Sequence, residues 1–329
     1  MDQKKYACVG MGAALVDVFA DVTEAELAAI GSPKSSMSLI SPNEAAALEQ
    51  AVTLHTRASG GSAGNTIAGI AALGLPTGFI GKVGRDELGD FFVKDMAAVQ
   101  TAFPTTPHDD LPTGRCIVLI TPDAERTMHT LLGASVATAQ NDLDRDMLAQ
   151  TQILFAEGYI WDSETAHAAF LEAAEIVRAH GGRVALSLSD PFCVQRHHPR
   201  FEEALDSHID IVLANQAEAE AMFGGSSTTQ WATAARGLGL EAAITRGADG
   251  AVIISAEDTI AISAEEVSNI VDLTGAGDQF AAGYLSGRAL GRTLAQSGRR
   301  GAIAAAEVIG HIGPRPKIDV AGLLNAADL

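Results

Sequence analysis

Two glycine-rich segments hold the residues whose types and spacing could do chemistry. The C-terminal one, Val271-Asp272-Leu273-Thr274-Gly275-Ala276-Gly277-Asp278-Gln279-Phe280, reads as following a strand and opening a helix near Asp278. Small residues at 275–277 let backbone amides converge on one concavity, which suits charge developing on a transferring phosphoryl group. A carboxylate beside such a nest can take the proton of an attacking hydroxyl. That is one reading of Asp278; capping its helix, the commoner use of aspartate, is the other. The segment lacks the Gly-Lys-Ser/Thr ending of a P-loop, and Gly10-Met11-Gly12 lacks the third glycine of a dinucleotide fingerprint. The N-terminal segment is Ser59-Gly60-Gly61-Ser62-Ala63-Gly64-Asn65, ahead of an alanine-rich helix ending near Gly74. Paired glycines admit close backbone approach, and amides at a helix start can donate to hydroxyls or anions. An ordinary loop-to-helix junction fits this segment equally well.

Such residues need a scaffold, and the sequence describes one. Short apolar runs at 6–10, 79–83, 153–156, 183–189, 209–214, 242–245 and 251–255 read as strands. Most are continuous rather than alternating, the mark of a sheet covered on both faces. Helical patterns lie between them. After the N-cap Ser163, Ala166, Phe170, Ala173 and Val177 repeat every three or four residues, with Gly181 as the stop. This βαβα order predicts an α/β fold with a mostly parallel sheet flanked by helices on both faces. Residues 16–59 and 113–137 differ: short alternations and turns, without long helices at their centres. They predict a small second sheet at one edge, leaving 1–15, 60–112 and 138–329 as the main domain. Residues 101–112, with three prolines, read as a loop.

Composition narrows the classes further. The 329 residues carry a formal net charge of −19, which disfavours a nucleic-acid partner. With 47% hydrophobic residues the chain can bury a core, so disorder is excluded. The three cysteines, Cys8, Cys116 and Cys193, have no disulfide-scaffold or CxxC spacing, which points to a reducing compartment. Without a signal-peptide pattern or a long uncharged apolar stretch, the expectation is a cytoplasmic protein with no membrane partner. Cys193 with His197 and His198 offers no closed ligand set and reads as a solvated loop.

Taken together, Gly60-Gly61-x-x-x-Asn65 and Gly275-Ala276-Gly277-Asp278 resemble the ribokinase-like (PfkB) family of carbohydrate and nucleoside kinases. Gly81-Lys82-Val83-Gly84-Arg85-Asp86-Glu87-Leu88-Gly89 and Asn215-Gln216-Ala217-Glu218 agree with it. The N-terminal part is similar to the adenosine-kinase branch: Gly12-Ala13-Ala14-Leu15-Val16-Asp17, Lys34, Met37-Ser38-Leu39, and Thr66-Ile67 after Asn65. Leu186–Phe192 and Asp210–Asn215 look alike too. Leu273 departs from the family pattern, which has Thr, Ser or Pro there, and so does the segment around Tyr159 and Trp161. The resemblance implies a ribokinase-like fold with a small discontinuous β lid. It implies transfer from ATP, with Mg²⁺, to a primary hydroxyl, and leaves room for a monovalent cation such as K⁺. Monomer and homodimer both occur within it.

The resemblance also implies roles. Asp278 becomes the base, and the amides of Gly275, Ala276 and Gly277 the anion hole. Asp17, read as lying just past the first strand, holds a ribose diol with Gly60, Gly61 and Asn65; a solvated turn residue is its plainer account. Asn215 and Glu218 share one face of a helix start, with Glu218 ordering Mg²⁺ through water or merely lying on the surface. Arg126 reaches the phosphates or is an exposed hairpin residue. Thr245, Gly247 and Gly250 contact ATP or form a plain turn. Tyr159 and Trp161, on one side of an extended strand, stack on a base or fill the core. The reaction expected is phosphorylation of a nucleoside 5′-hydroxyl, adenosine first. The alternatives are a sugar such as ribose or fructose, or a non-catalytic binding module.

Overall fold

A computed structural model describes residues 4–123 and 125–329. These form thirteen strands, numbered in chain order. The main sheet holds β1 (Tyr6–Met11), β5 (Thr77–Ile80), β8 (Thr151–Glu157), β9 (Arg183–Ser187), β10 (Ile211–Asn215), β11 (Glu241–Thr245), β12 (Ala251–Ile254) and β13 (Thr259–Ile262). Their spatial order is β5-β1-β8-β9-β10-β11-β12-β13. Neighbours from β5 to β11 pair in parallel, and β12 and β13 add on as antiparallel hairpins. Alternation along each strand feeds two cores. Val9, Leu154, Val212 and Ile244 enter one, while Cys8, Ile153, Leu213 and Ala243 enter the other. With both faces covered, the central positions of these strands are apolar on both sides, and the sequence shows little polar alternation there.

A second sheet of five strands has the order β3-β7-β6-β2-β4. It comprises β2 (Leu15–Asp21), β3 (Met37–Leu39), β4 (Thr56–Gly60), β6 (Gly114–Ile120) and β7 (Arg126–Leu131). Two short helices, which the sequence reading did not name, also sit in this region, Glu24–Ile30 and Pro42–Ala51. Each opens on a capping box, Thr23 with Glu26 and Ser41 with Glu44, which satisfies the free amides of the first turn.

Other elements shift as well. Residues 263–274 form no strand, and the next helix starts at Ala276, two residues before Asp278. Ser189 has φ +67, which ends β9 at Ser187. The 101–112 loop is tied down by single bridges from Gly78 to Ala102 and Gly84 to His108. Cys193, His197 and His198 lie on the helix Pro191–Ser207, bent at His197 ahead of Pro199, and not on a loop. Its partner there is Asp162, 2.6 Å away. No metal-binding group of three His, Cys, Asp or Glu side chains occurs among the described residues. All three cysteines are free and buried. No described helix is long and apolar enough to cross a membrane.

Candidate functional site

The two glycine-rich segments meet because the helices they open pack against each other. Ser62–Ala72 lies along Ala276–Ala289, and Gly69 makes the crossing close. A Cβ there would stand 2.2 Å from Gln279 Oε1 and 2.7 Å from Ala282 Cβ. This packing brings Ser62 Oγ to 2.6 Å from Asp278 Oδ1 and Asn65 Nδ2 to 3.1 Å from Asp278 Oδ2. Asp278 makes no side-chain cap; the N-cap residue is Gly275, in the left-handed conformation at φ +80. Burial raises Asp278 to about 6, against the hydrogen bonds from Ser62 and Asn65 and the charge of Arg315. A carboxylate poised there can accept a proton near neutral pH.

The nest is smaller than the sequence suggested. The Ala276 amide donates to the Leu273 carbonyl at 3.2 Å, whereas the amides of Gly275 and Gly277 make no backbone hydrogen bond among the described residues. Gly277 faces open space. A small cavity of about 190 Å³ runs from Gly277 and Asp278 to Asn215, Glu218 and Thr245. Asn215 caps the helix Gln216–Phe223 reciprocally with Glu218: its Nδ2 donates to Glu218 Oε1 at 2.6 Å and the Glu218 amide returns to Asn215 Oδ1 at 2.9 Å. Burial pushes the Glu218 carboxyl up to about 7, despite the Asn215 hydrogen bond. A single carboxylate of this kind fits an ion held mainly by water, as Mg²⁺ is, and the open amides fit a phosphate. Gly247 and Gly250 form the turn between β11 and β12 and do not line either cavity.

Asp17 belongs to the middle of β2, in the small sheet, and not to the end of the first strand. Its carboxylate rests against Gly60, where a Cβ would come within 2.6 Å of Oδ1. Burial pushes it up to about 7, while Arg315 and Arg126 pull it down. Arg126 opens β7 and spans from the small sheet to the nest segment. Its Nη2 pairs with Asp272 Oδ2 at 2.8 Å, and its Nη1 donates to Thr274 Oγ1 at 3.1 Å. It is thus neither a free hairpin arginine nor an unengaged one.

A chamber of about 1050 Å³ lies between the sheets, lined by Gly61, Ser62, Leu39, Val136, Tyr159 and Phe192 among others. Ser62 lines both cavities, so Asp278 stands where they join. Tyr159 and Trp161 do not share a side. They fall in a 3-10 turn, Gly158–Asp162, which carries Tyr159 to the chamber and Trp161 into the core. Trp161 stacks on Phe201 with centroids 4.8 Å apart and takes no part in the chamber.

Three residues escaped the sequence reading. Glu157, 1% exposed, ends β8 and accepts from the Ala13 and Ala63 amides at 2.8 and 2.7 Å. Its only signal was a carboxylate closing an apolar strand. Ser62 lies inside the first glycine-rich segment, where its hydroxyl has no distinguishing spacing. Arg315, between two prolines near the C-terminus, gave no signal.

The chain is similar to several known proteins along nearly its whole length. An adenosine kinase structure from Sinorhizobium meliloti is 39% identical over 98% of this chain and 99% of its own, with a TM-score of 0.91. A probable sugar kinase structure from Rhizobium etli CFN 42 is 35% identical over 99% of both chains, with a TM-score of 0.90. A 5-dehydro-2-deoxygluconokinase from Geobacillus kaustophilus is 27% identical over 80% of this chain and 82% of its own. The pfkB family carbohydrate kinase model matches residues 25–320, and the chain belongs to that family of kinases, phosphotransferases acting on a sugar or nucleoside hydroxyl.

Proposed function

We propose that the protein phosphorylates the 5′-hydroxyl of a nucleoside, adenosine first, at the expense of ATP. The observation that carries this reading is the chamber wall. Met37, Leu39, Val136 and Phe192 are 47, 57, 37 and 69% exposed, and all four line that one cavity. Large apolar side chains left open together mark a surface awaiting an apolar partner. A purine has two flat apolar faces to cover them, with Tyr159 at the same wall; a hexose offers only a smaller patch of C–H groups among its hydroxyls. The adenosine kinase relative supports the same reading.

In this reading Asp17, with Gly60, Gly61 and Asn65, holds the ribose and directs its 5′ end toward Asp278. Asp278 accepts the hydroxyl proton while Ser62 and Asn65 fix the carboxylate's orientation. The Gly275 and Gly277 amides, with Ala276 shaping the turn, face the charge on the transferred group. Bound ATP with Mg²⁺ supplies the phosphoryl group. Glu218, Asn215 and Thr245 would line its place, with Arg126 at the phosphate edge and the turn of Gly247 and Gly250 further out.

A sugar acceptor is the second reading, favoured by the polar part of the lining, Thr130, Ser135, Asp190 and Gln195, and by the relatives named for sugars. A panel of adenosine, inosine, cytidine, ribose and fructose with ATP and Mg²⁺ separates the two. The proposal expects the highest kcat/KM with adenosine. Turnover of a sugar alone would replace it with the second reading.

A further inference from the structure

A loop near the C-terminus is clamped onto the nest. The Gly313 amide donates to Asp272 Oδ2 at 2.9 Å, and Gln279 Nε2 donates to the Pro314 carbonyl at 2.9 Å. Gly275 lies so close that a Cβ there would come within 2.6 Å of Pro314 Cα. The clamp delivers Arg315 into the site. Its Nη1 pairs with Asp95, its Nε donates to Asn65 Oδ1 at 3.3 Å, and its Nη2 is buried without an acceptor.

The Asn65 contact has a directional consequence. A carboxamide turned by 180° exchanges its donor for its acceptor. Arginine can only donate, so it selects the orientation with Oδ1 toward itself and NH₂ toward Asp278. That is the orientation Asp278 needs, since an ionised carboxylate only accepts. The charge matters as well. Asp278 is faced by Asp17 from β2, Glu157 from the end of β8 and Glu218 from the helix Gln216–Phe223. Ser62 and Asn65 reach it from the helix Ser62–Ala72. Among the described residues, Arg315 is the cation that acts on Asp278; Arg126 acts on Asp17, and Asp95 holds part of the Arg315 charge.

We propose that Arg315 is a positioning residue for phosphoryl transfer, fixing the Asn65 carboxamide toward Asp278 and balancing the charges of Asp17 and Asp278. The proposal rests on Asp278 serving as the base. Three variants test it through the acid limb of the kcat/KM profile, using whichever of adenosine, ribose or fructose the wild type phosphorylates. Arg315→Gln keeps a donor and removes the charge. Its limb should move up by about one pH unit, the lower end of what a neighbouring arginine does to an aspartate. Activity should then fall by about twofold at pH 7 and by nearly tenfold at pH 5, and largely return at pH 9. Arg315→Lys keeps the charge, so its limb should stay near the wild-type position. Asp95→Asn frees the guanidinium charge, and its limb should move down.

A loss equal at every pH, with all limbs in place, would mark Arg315 as merely structural and overturn the proposal. Should Arg315→Gln fail to fold, Asp95→Asn decides alone, because an unmoved or raised limb there contradicts it. Transfer to a sugar would overturn the nucleoside reading and leave this test intact. A wild-type profile without an acid limb would overturn the base assignment, and this proposal with it.

Discussion

In the proposed reaction Asp278 is the base, and its environment makes two linked predictions. Raised to about 6 by burial, it loses its charge as pH falls through that value, so kcat/KM should decline on the acid side with a midpoint near 6. The stability effect has the opposite sign. The unfolded value is about 3.9, so the folded state binds more protons between pH 4 and 6, and ionisation opposes folding above 6. Asp278→Asn should remove that penalty. Thermal melts should show the variant more stable than wild type at pH 8, by about 1 kcal/mol after discounting for its partial opening to the cleft, with the gap narrowing toward pH 5. Its turnover should fall at least about a hundredfold while adenosine binding stays within a few-fold. Equal stability at both pH values would show that the carboxylate is not strained. Asp17→Ala bears on the acceptor side, where KM for the nucleoside should rise far more than KM for ATP. Equal rises would contradict the diol role.

At the scale of elements, the site depends on the Gly69 crossing, which joins two helices distant in sequence. Gly69→Val would force a branched side chain against Gln279 and Ala282, at a cost of about 1–3 kcal/mol. By separating Ser62 and Asn65 from Asp278 it should also lower kcat in protein that remains folded. Intact kcat in the folded variant would show that the crossing does not position the base. The elements also show what the sequence could convey. Runs such as Ile153–Ala156 were legible because a strand buried on both faces has no polar position. The helices Glu24–Ile30 and Pro42–Ala51 were not, because few of their residues are buried and their signal lay in the caps. Tyr159 and Trp161 part because a 3-10 turn replaces strand alternation with a threefold pitch, and Trp161 takes the core place that was one of its two readings. The motifs supplied Asp278 and its nest, yet Glu157 and Arg315 are single residues whose roles arise only when distant elements converge.

The whole molecule carries a net charge of −19, while one substrate of a kinase in this family is itself an anion. The long-range field opposes its approach, so in the proposed reaction the attraction is local, assigned to the open amides of Gly275 and Gly277 and to Arg126. Salt screens the long-range part over about 10 Å at 0.1 M and leaves buried contacts largely intact. At saturating Mg²⁺, KM for ATP should therefore fall by roughly twofold as salt rises from low to moderate concentration. A rise would show that exposed cations, rather than the nest amides, draw ATP in.

The central claim, that Asp278 activates a nucleoside 5′-hydroxyl, is tested most directly by following products with ³¹P NMR. Wild type and Asp278→Asn are each mixed with adenosine, ATP and Mg²⁺, and adenosine binding is measured in parallel by calorimetry. The account predicts a 5′-monophosphate from wild type, and from the variant essentially none despite near-normal binding. A 5′-monophosphate formed by the variant at close to the wild-type rate, or none from wild type while a sugar is phosphorylated, would contradict it.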